Sequence, residues 1–281
     1  MADASPPTGL VGHADRLAPP AATFGSWAAT VLQVARRSWR PGLLVTGVSV
    51  SLPLAAVELG RGLAEAAGYP AVASMPDVIA AAGSVSTLMM SVVLPVVLLG
   101  VAVAVGSVGW AGGIWALTAE AVTGRPVRVA DAYRYGLSRL TRLGPWTLAA
   151  ALLLVAGLAA FVVPGIYLLF ALSLFSFGVL FEHDRRPLLR SFALTHARLG
   201  RALARWGMLA AVTVAIEATM SLVFGTLSLV LLGDPGFGAD GHGLAGGLID
   251  AIHTAVGAPV WALLVIGLTV TYADLRQPRS N

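Results

Sequence analysis

Residues Trp146–Phe181 run for 36 positions without one charged side chain. Read as a single helix they would be ~54 Å long at ~1.5 Å per residue. That is nearly twice the ~30 Å hydrocarbon core of a bilayer. Pro164-Gly165, inside FVVPGIY, stands near the middle and supplies a turn. The run therefore reads as two membrane crossings joined at Pro164-Gly165, and a chain that carries it is expected to fold in a membrane.

Four further apolar stretches have the necessary length. They are Gly42–Leu59, a crossing within Val85–Leu117, Trp206–Leu232 and approximately Leu248–Tyr272. With the two halves of the long run they make six spans of an all-α, polytopic integral membrane protein. Composition agrees: 57% of residues are hydrophobic and 11% charged, against about 25% charged in soluble domains. The chain has no Cys, which excludes disulfides and thiolate chemistry. Residues 1–23, rich in Pro and Ala without an apolar core, read as a disordered tail. Residues 24–276 read as a single six-helix membrane domain, and 277–281 as a C-terminal tail.

The charges decide the expected orientation. All 18 basic residues are Arg. Arg16, Arg36, Arg37 and Arg40 precede the first span, and Arg125 to Arg142 lie between spans two and three. Arg185 to Arg205 lie between spans four and five, and Arg276 and Arg279 follow the sixth. Only Arg61 falls on the opposite side, with Glu58, Glu65, Asp77, Asp234 and Asp240. The positive-inside rule then puts both termini in the cytoplasm, at the cell membrane. A net charge of +4 is expected to meet anionic lipid headgroups rather than nucleic acid.

Three of the arginine-bearing segments are amphipathic at helical spacing. Phe24–Arg40 sets Phe24, Trp27, Val31 and Val34 against Arg37 and Arg40. Val129–Leu143 sets Val129, Ala132, Tyr133, Leu137 and Leu140 against Asp131, Ser138 and Arg142. Leu188–Arg205 sets Leu188, Phe192, Leu199, Ala202 and Leu203 against Arg190, Arg198, Arg201 and Arg205. Each leads to a span near a Trp (Trp39, Trp146, Trp206), so each is expected to be an interfacial helix ahead of a transmembrane hairpin.

LFEHDRRPLLRSF (Leu180–Phe192) is the densest polar stretch. A catalytic reading would use His183 as base and Ser191 as nucleophile, but no oxyanion signature accompanies them. The stretch reads instead as a cytoplasmic corner, with Pro187 in the first turn of the next helix. The order PGI, a long apolar span, Glu182, then Arg190-Ser191 resembles bacterial multi-helix membrane proteins of the glycerophosphoryl diester phosphodiesterase membrane domain family. TGRPVRVADAYRYGLSRL (Thr123–Leu140), Pro259 and the terminal YADLR (Tyr272–Arg276) extend the resemblance from about Phe24 to Arg276. The family's name derives from members joined to a catalytic barrel. The paired histidines and metal-binding carboxylates of a phosphodiesterase have no counterpart in these residues. The resemblance thus implies a membrane module and not an enzyme, with no cofactor.

Glu217 lies eleven residues into the fifth span, and an intramembrane acid is a functional candidate by default. Thr213 and Ser221, at i−4 and i+4, share its face. Glu120, Glu182, Arg190 and Ser191 sit where spans meet the cytoplasm, as an ion-pair or headgroup site. His253, with Thr254, is a weak metal candidate. Asp234, Asp240 and His242 lack the terminal Glu of a calcium loop. Two functions follow as expectations: a non-enzymatic module that assists a membrane-protein partner or handles lipid at the cytoplasmic leaflet, or a small transporter using Glu217.

Overall fold

A computed structural model describes residues 23–69, 79, 83–182, 184–233 and 243–276. The N-terminal tail up to residue 22, the C-terminal tail, residues 70–78 with Asp77, His183 and the loop bearing Asp234, Asp240 and His242 lie outside the described residues. Among the described residues the chain is helical and contains no strand. Six helices are long and apolar enough to cross a membrane: α1 Phe24–Ala66, α2 Val85–Thr123, α3 Val129–Ala160, α4 Val162–Glu182, α6 Leu199–Leu232 and α7 Gly243–Arg276. A shorter helix, α5 Pro187–Ala197, turns the corner between α4 and α6.

Thr23 starts α1 through a capping box, accepting a hydrogen bond from the Ser26 amide while the Ser26 hydroxyl accepts one from the Thr23 amide. Gly124 ends α2 in the left-handed conformation (φ 65°), donating its N–H to the Glu120 carbonyl.

Small residues set the packing. A Cβ at Gly112 would lie 2.6 Å from the Ala132 carbonyl oxygen, and Gly136 is pressed against the Val108 carbonyl, so α2 and α3 meet backbone to backbone. Gly109 and Gly113 receive Ser49 and Thr46 of α1. A Cβ at Gly62 would lie 2.7 Å from Gly247 Cα, which brings the C-terminal half of α1 and the N-terminal half of α7 together. Such approaches replace the hydrophobic drive that lipid removes between helices. Helix α1 is thus the central member, packed on α2 and α7. Tyr133 of α3 also reaches it, donating to the Leu44 carbonyl at 2.9 Å and accepting from Ser49 at 2.8 Å.

The turn between α3 and α4 differs from expectation by three residues. Phe161 alone is extended (φ −168°, ψ 151°), and Pro164-Gly165 fall in the first turn of α4. Proline is tolerated there because that N–H has no helical acceptor. Gly165 lies against Gly157, closing the hairpin.

The three amphipathic segments join their spans in three ways. The first kinks at Ser38 (φ −115°, ψ 24°), three residues before Pro41, and passes through a π-helical turn at Gly42–Gly47. The second has no break: Val129–Ala160 is one helix. The third is interrupted at Arg198 (φ −139°, ψ 52°). Their apolar rows are also shared out differently. Trp27, Val31 and Val34 are buried against protein, whereas Leu137, Phe192, Leu199 and Leu203 are exposed.

Candidate functional site

The end of α4 supplies the first part of the site. After the turn at Ser173-Leu174 the chain makes one helical turn, Phe175–Phe177, and a π-helical turn, Gly178–Glu182. This places Glu182 beside α5 and the last turn of α7. Its carboxylate accepts hydrogen bonds from Arg190 (Nε, and Nη2 at 3.2 Å) and from the Tyr272 hydroxyl at 3.0 Å. Arg276 Nε stands 3.8 Å away. Tyr272 is held in place by stacked rings, 4.9 Å from Phe177 and 5.5 Å from Phe181. The hydrogen bond to Glu182 raises the Arg190 pKa above its ordinary value, fixing that guanidinium as a cation.

Two residues further along α7, Asp274 pairs with Arg205, both 2% exposed. Arg201 Nη1 is 3.8 Å from the same carboxylate, and Arg198 donates to the Asp274 backbone carbonyl at 3.1 Å. The Arg205 guanidinium lies 5.9 Å from the centre of the Trp27 ring, and the Trp27 indole donates to Thr271 at 3.2 Å. Sequence reasoning missed this pair. It put Arg205 on a polar face directed outward, and it used Asp274 only as a letter in YADLR. The available signal was the spacing of Arg198, Arg201 and Arg205, which sets three cations on one helix face.

Ser191 is spent on the backbone. Its hydroxyl donates to the Ala171 carbonyl at 2.7 Å and accepts from the Leu174 amide at 3.1 Å, satisfying groups freed by the break in α4. Glu120 stands apart from Glu182 in its bonding. It is buried, accepts from the Val127 amide at 3.2 Å, and its Oε2 has no hydrogen-bond partner among the described residues.

Glu217 was expected within a stripe of Thr213 and Ser221. The structure instead pairs it with His253 of α7, Nε2 to Oε1 3.3 Å, with Glu217 about half exposed and His253 less so. Thr213 carries a buried Oγ1 with no partner among the described residues, and Ser221 is half-buried. His253 and Glu217, read separately from sequence, are thus one feature. Arg61 is similarly answered by Asp250 at 2.9 Å and Glu58 at 3.2 Å. Among the described residues no group of three or more His, Asp or Glu is placed to hold a metal ion.

Between these two ends lies a cavity of about 560 Å³. Val50 and Leu54 of α1, Trp110 of α2, Leu143 and Ala150 of α3, Leu168 and Phe175 of α4, Trp206 and Leu209 of α6, and Trp261 and Leu268 of α7 line it. The space is open at one side, where the lining residues Leu169 and Val214 are exposed, and its wall is almost wholly apolar, so a polar occupant would give up its hydration there without replacement. The space therefore suits an apolar occupant.

No family model, no curated protein and no solved structure matches this chain.

Proposed function

We propose that this protein is a non-enzymatic module of the cell membrane that handles lipid at the cytoplasmic leaflet, with both termini in the cytoplasm. The observation that carries the reading is the division of labour among the arginines. Arg190 and Arg205 are consumed by Glu182 and Asp274, whereas Arg36, Arg37, Arg40, Arg125 and Arg128 are exposed. Exposed guanidinium groups on a membrane chain meet lipid phosphate, which they bind in bidentate fashion. Phe24–Arg37, the first turns of α3, and α5 occupy the headgroup level in this reading. They are the cytoplasmic parts of three units, each completed by a hairpin. Residues that carried the resemblance to the phosphodiesterase membrane-domain family (Glu182, Arg190, Ser191 and YADLR) are neighbours in space, which supports membership as part of the same proposal.

Two measurements test it. Because the chain has no Cys, single cysteines replacing Arg134 and Arg61 can be labelled in intact cells by an impermeant maleimide. Arg61→Cys is expected to react from outside, and Arg134→Cys only after lysis. Reversal would overturn the orientation. The lipid extracted with purified protein is expected to be enriched in anionic species, and the Arg36→Gln/Arg37→Gln/Arg40→Gln variant to lose that enrichment. An unchanged lipid profile would overturn the reading. A stoichiometric second protein in the preparation would point to an accessory subunit instead.

The Glu217–His253 pair favours a second reading, a small transporter. That reading requires Glu217→Gln to abolish pH-dependent flux in proteoliposomes while leaving folding intact. Unchanged flux removes Glu217 from the mechanism.

A further inference from the structure

We infer that the cavity is a binding site for one hydrocarbon chain of a membrane lipid, admitted sideways between α6 and the α3–α4 hairpin. The inference rests on the lipid-handling reading and gives it a site.

The wall is apolar in chemistry as well as composition. Its polar side chains are mostly spent within the protein: Ser107 on the Val103 carbonyl, Thr147 on Leu143, Ser173 on Phe170, and the Trp110 indole on Ser176 at 3.0 Å. A charged or sugar-like ligand would lose its hydration there and gain nothing in return. Water fares poorly for the same reason, since a bound water needs two to four polar partners. Thr213 also lines the space, but its Oγ1 is covered by protein rather than turned into the cavity, so it adds no accessible polar group to the wall.

Placement separates a lipid chain from a partner helix. Side chains of all six spans line the space of about 560 Å³, so it lies inside the bundle. A slender hydrocarbon chain can enter between two spans, whereas a helix ~10–12 Å across would have to part them. The cavity's volume lies within the 300–1,000 Å³ usual for small-molecule sites.

The route in is also visible. Helix α6 packs mainly on α5 and α7, with the Leu209 side chain filling the space beside Gly267 and Glu217 meeting His253. Leu169 of α4 and Val214 of α6 line the cavity and yet are 48% and 65% exposed. They mark its mouth, on apolar stretches of two spans, so the mouth faces hydrocarbon and not water.

The test is native mass spectrometry of protein reconstituted in vesicles of phosphatidylethanolamine and phosphatidylglycerol, then released in mild detergent. Wild type is expected to retain one lipid per chain. Ala150→Phe/Ala210→Phe, which fills the cavity from two walls, is expected to lower the lipid-bound fraction at least tenfold. Leu152→Phe, on the exposed face of α3, is expected to leave it unchanged. Should the double variant fail to fold, Ala210→Leu with a wild-type melting profile replaces it, with a smaller loss expected. Equal retention by wild type and a folded, cavity-filled variant would overturn the site while leaving lipid handling intact. No lipid on wild type would overturn both. Retention by wild type of an isoprenoid carried through purification would place that chain in the site in preference to a phospholipid acyl chain.

Discussion

The carboxylate of Asp274, in the last turn of α7, is hydrogen-bonded to the guanidinium of Arg205, 69 residues earlier in the second turn of α6, with both side chains 2% exposed. This contact ties α6 to α7 at the end where Trp27 of α1 also arrives. One buried charge pair therefore joins three helices.

Removing one member takes from the other its closest charge partner. Arg205→Met is expected to destabilise the protein by up to about 3–5 kcal/mol, the cost of breaking a buried pair, less what Arg201, 3.8 Å from the Asp274 carboxylate, recovers. Arg205→Met/Asp274→Leu should recover most of that loss, because hydrophobic replacement of both partners is often neutral. Thermal unfolding of the detergent-solubilised variants checks the cycle; additive losses would show that the two residues are not coupled.

Ser191→Ala leaves the Leu174 amide and the Ala171 carbonyl without their present partner. A loss of about 1–3 kcal/mol is expected for buried groups left unsatisfied. Hydrogen exchange should rise locally, across Ala171–Phe177, and not in α2. Uniform exchange changes would instead mark a global effect.

Gly62→Val places a side chain where Gly247 Cα already stands. The conflict is with backbone, which cannot swing aside, so the C-terminal half of α1 and the N-terminal half of α7 must part. With cysteines at Glu58 and Asp250, both beside Arg61, wild type is expected to cross-link efficiently with a short bifunctional reagent. Gly62→Val should cut the yield several-fold; an unchanged yield would mean that the helices absorb the side chain.

Glu217 and His253 meet on the flanks of two membrane-spanning helices, and within a membrane a lone ionisable group is expensive. Glu217→Leu alone should therefore lower the melting temperature by leaving His253 without its partner. Glu217→Leu/His253→Phe should restore it, helped by packing against Phe224, whose ring centre is 5.1 Å from that of His253. Failure of the double variant to recover would show that the pair does more than hold α6 on α7.

The six spans were legible in the sequence, because crossing ~30 Å of hydrocarbon demands a length and an apolarity that a linear reading measures directly. Four of the expected runs lie within observed helices, the run Trp146–Phe181 is divided between α3 and α4 at Phe161, and Pro187 opens α5 as its position implied. Glu182 and Arg190, eight residues apart on either side of a corner, were grouped by position as an ion-pair or headgroup site, without their pairing being fixed. The turn after α3 was misplaced because Pro164 was read as the turn itself, when proline is equally at home one step inside the next helix. Arg205, Asp274, His253 and the role of Ser191 were beyond such reading. A residue's spacing fixes the helix face it occupies, but the neighbour that covers the face is chosen by packing. Gly62 against Gly247, Gly112 against Ala132 and Leu209 against Gly267 set which helices approach and how closely. The sequence by itself determined that the chain has six membrane spans and approximately where each lies. The tertiary structure alone decided which charges neutralise one another and where the helices stand apart to leave a cavity, since both depend on close approaches between residues far apart in the chain.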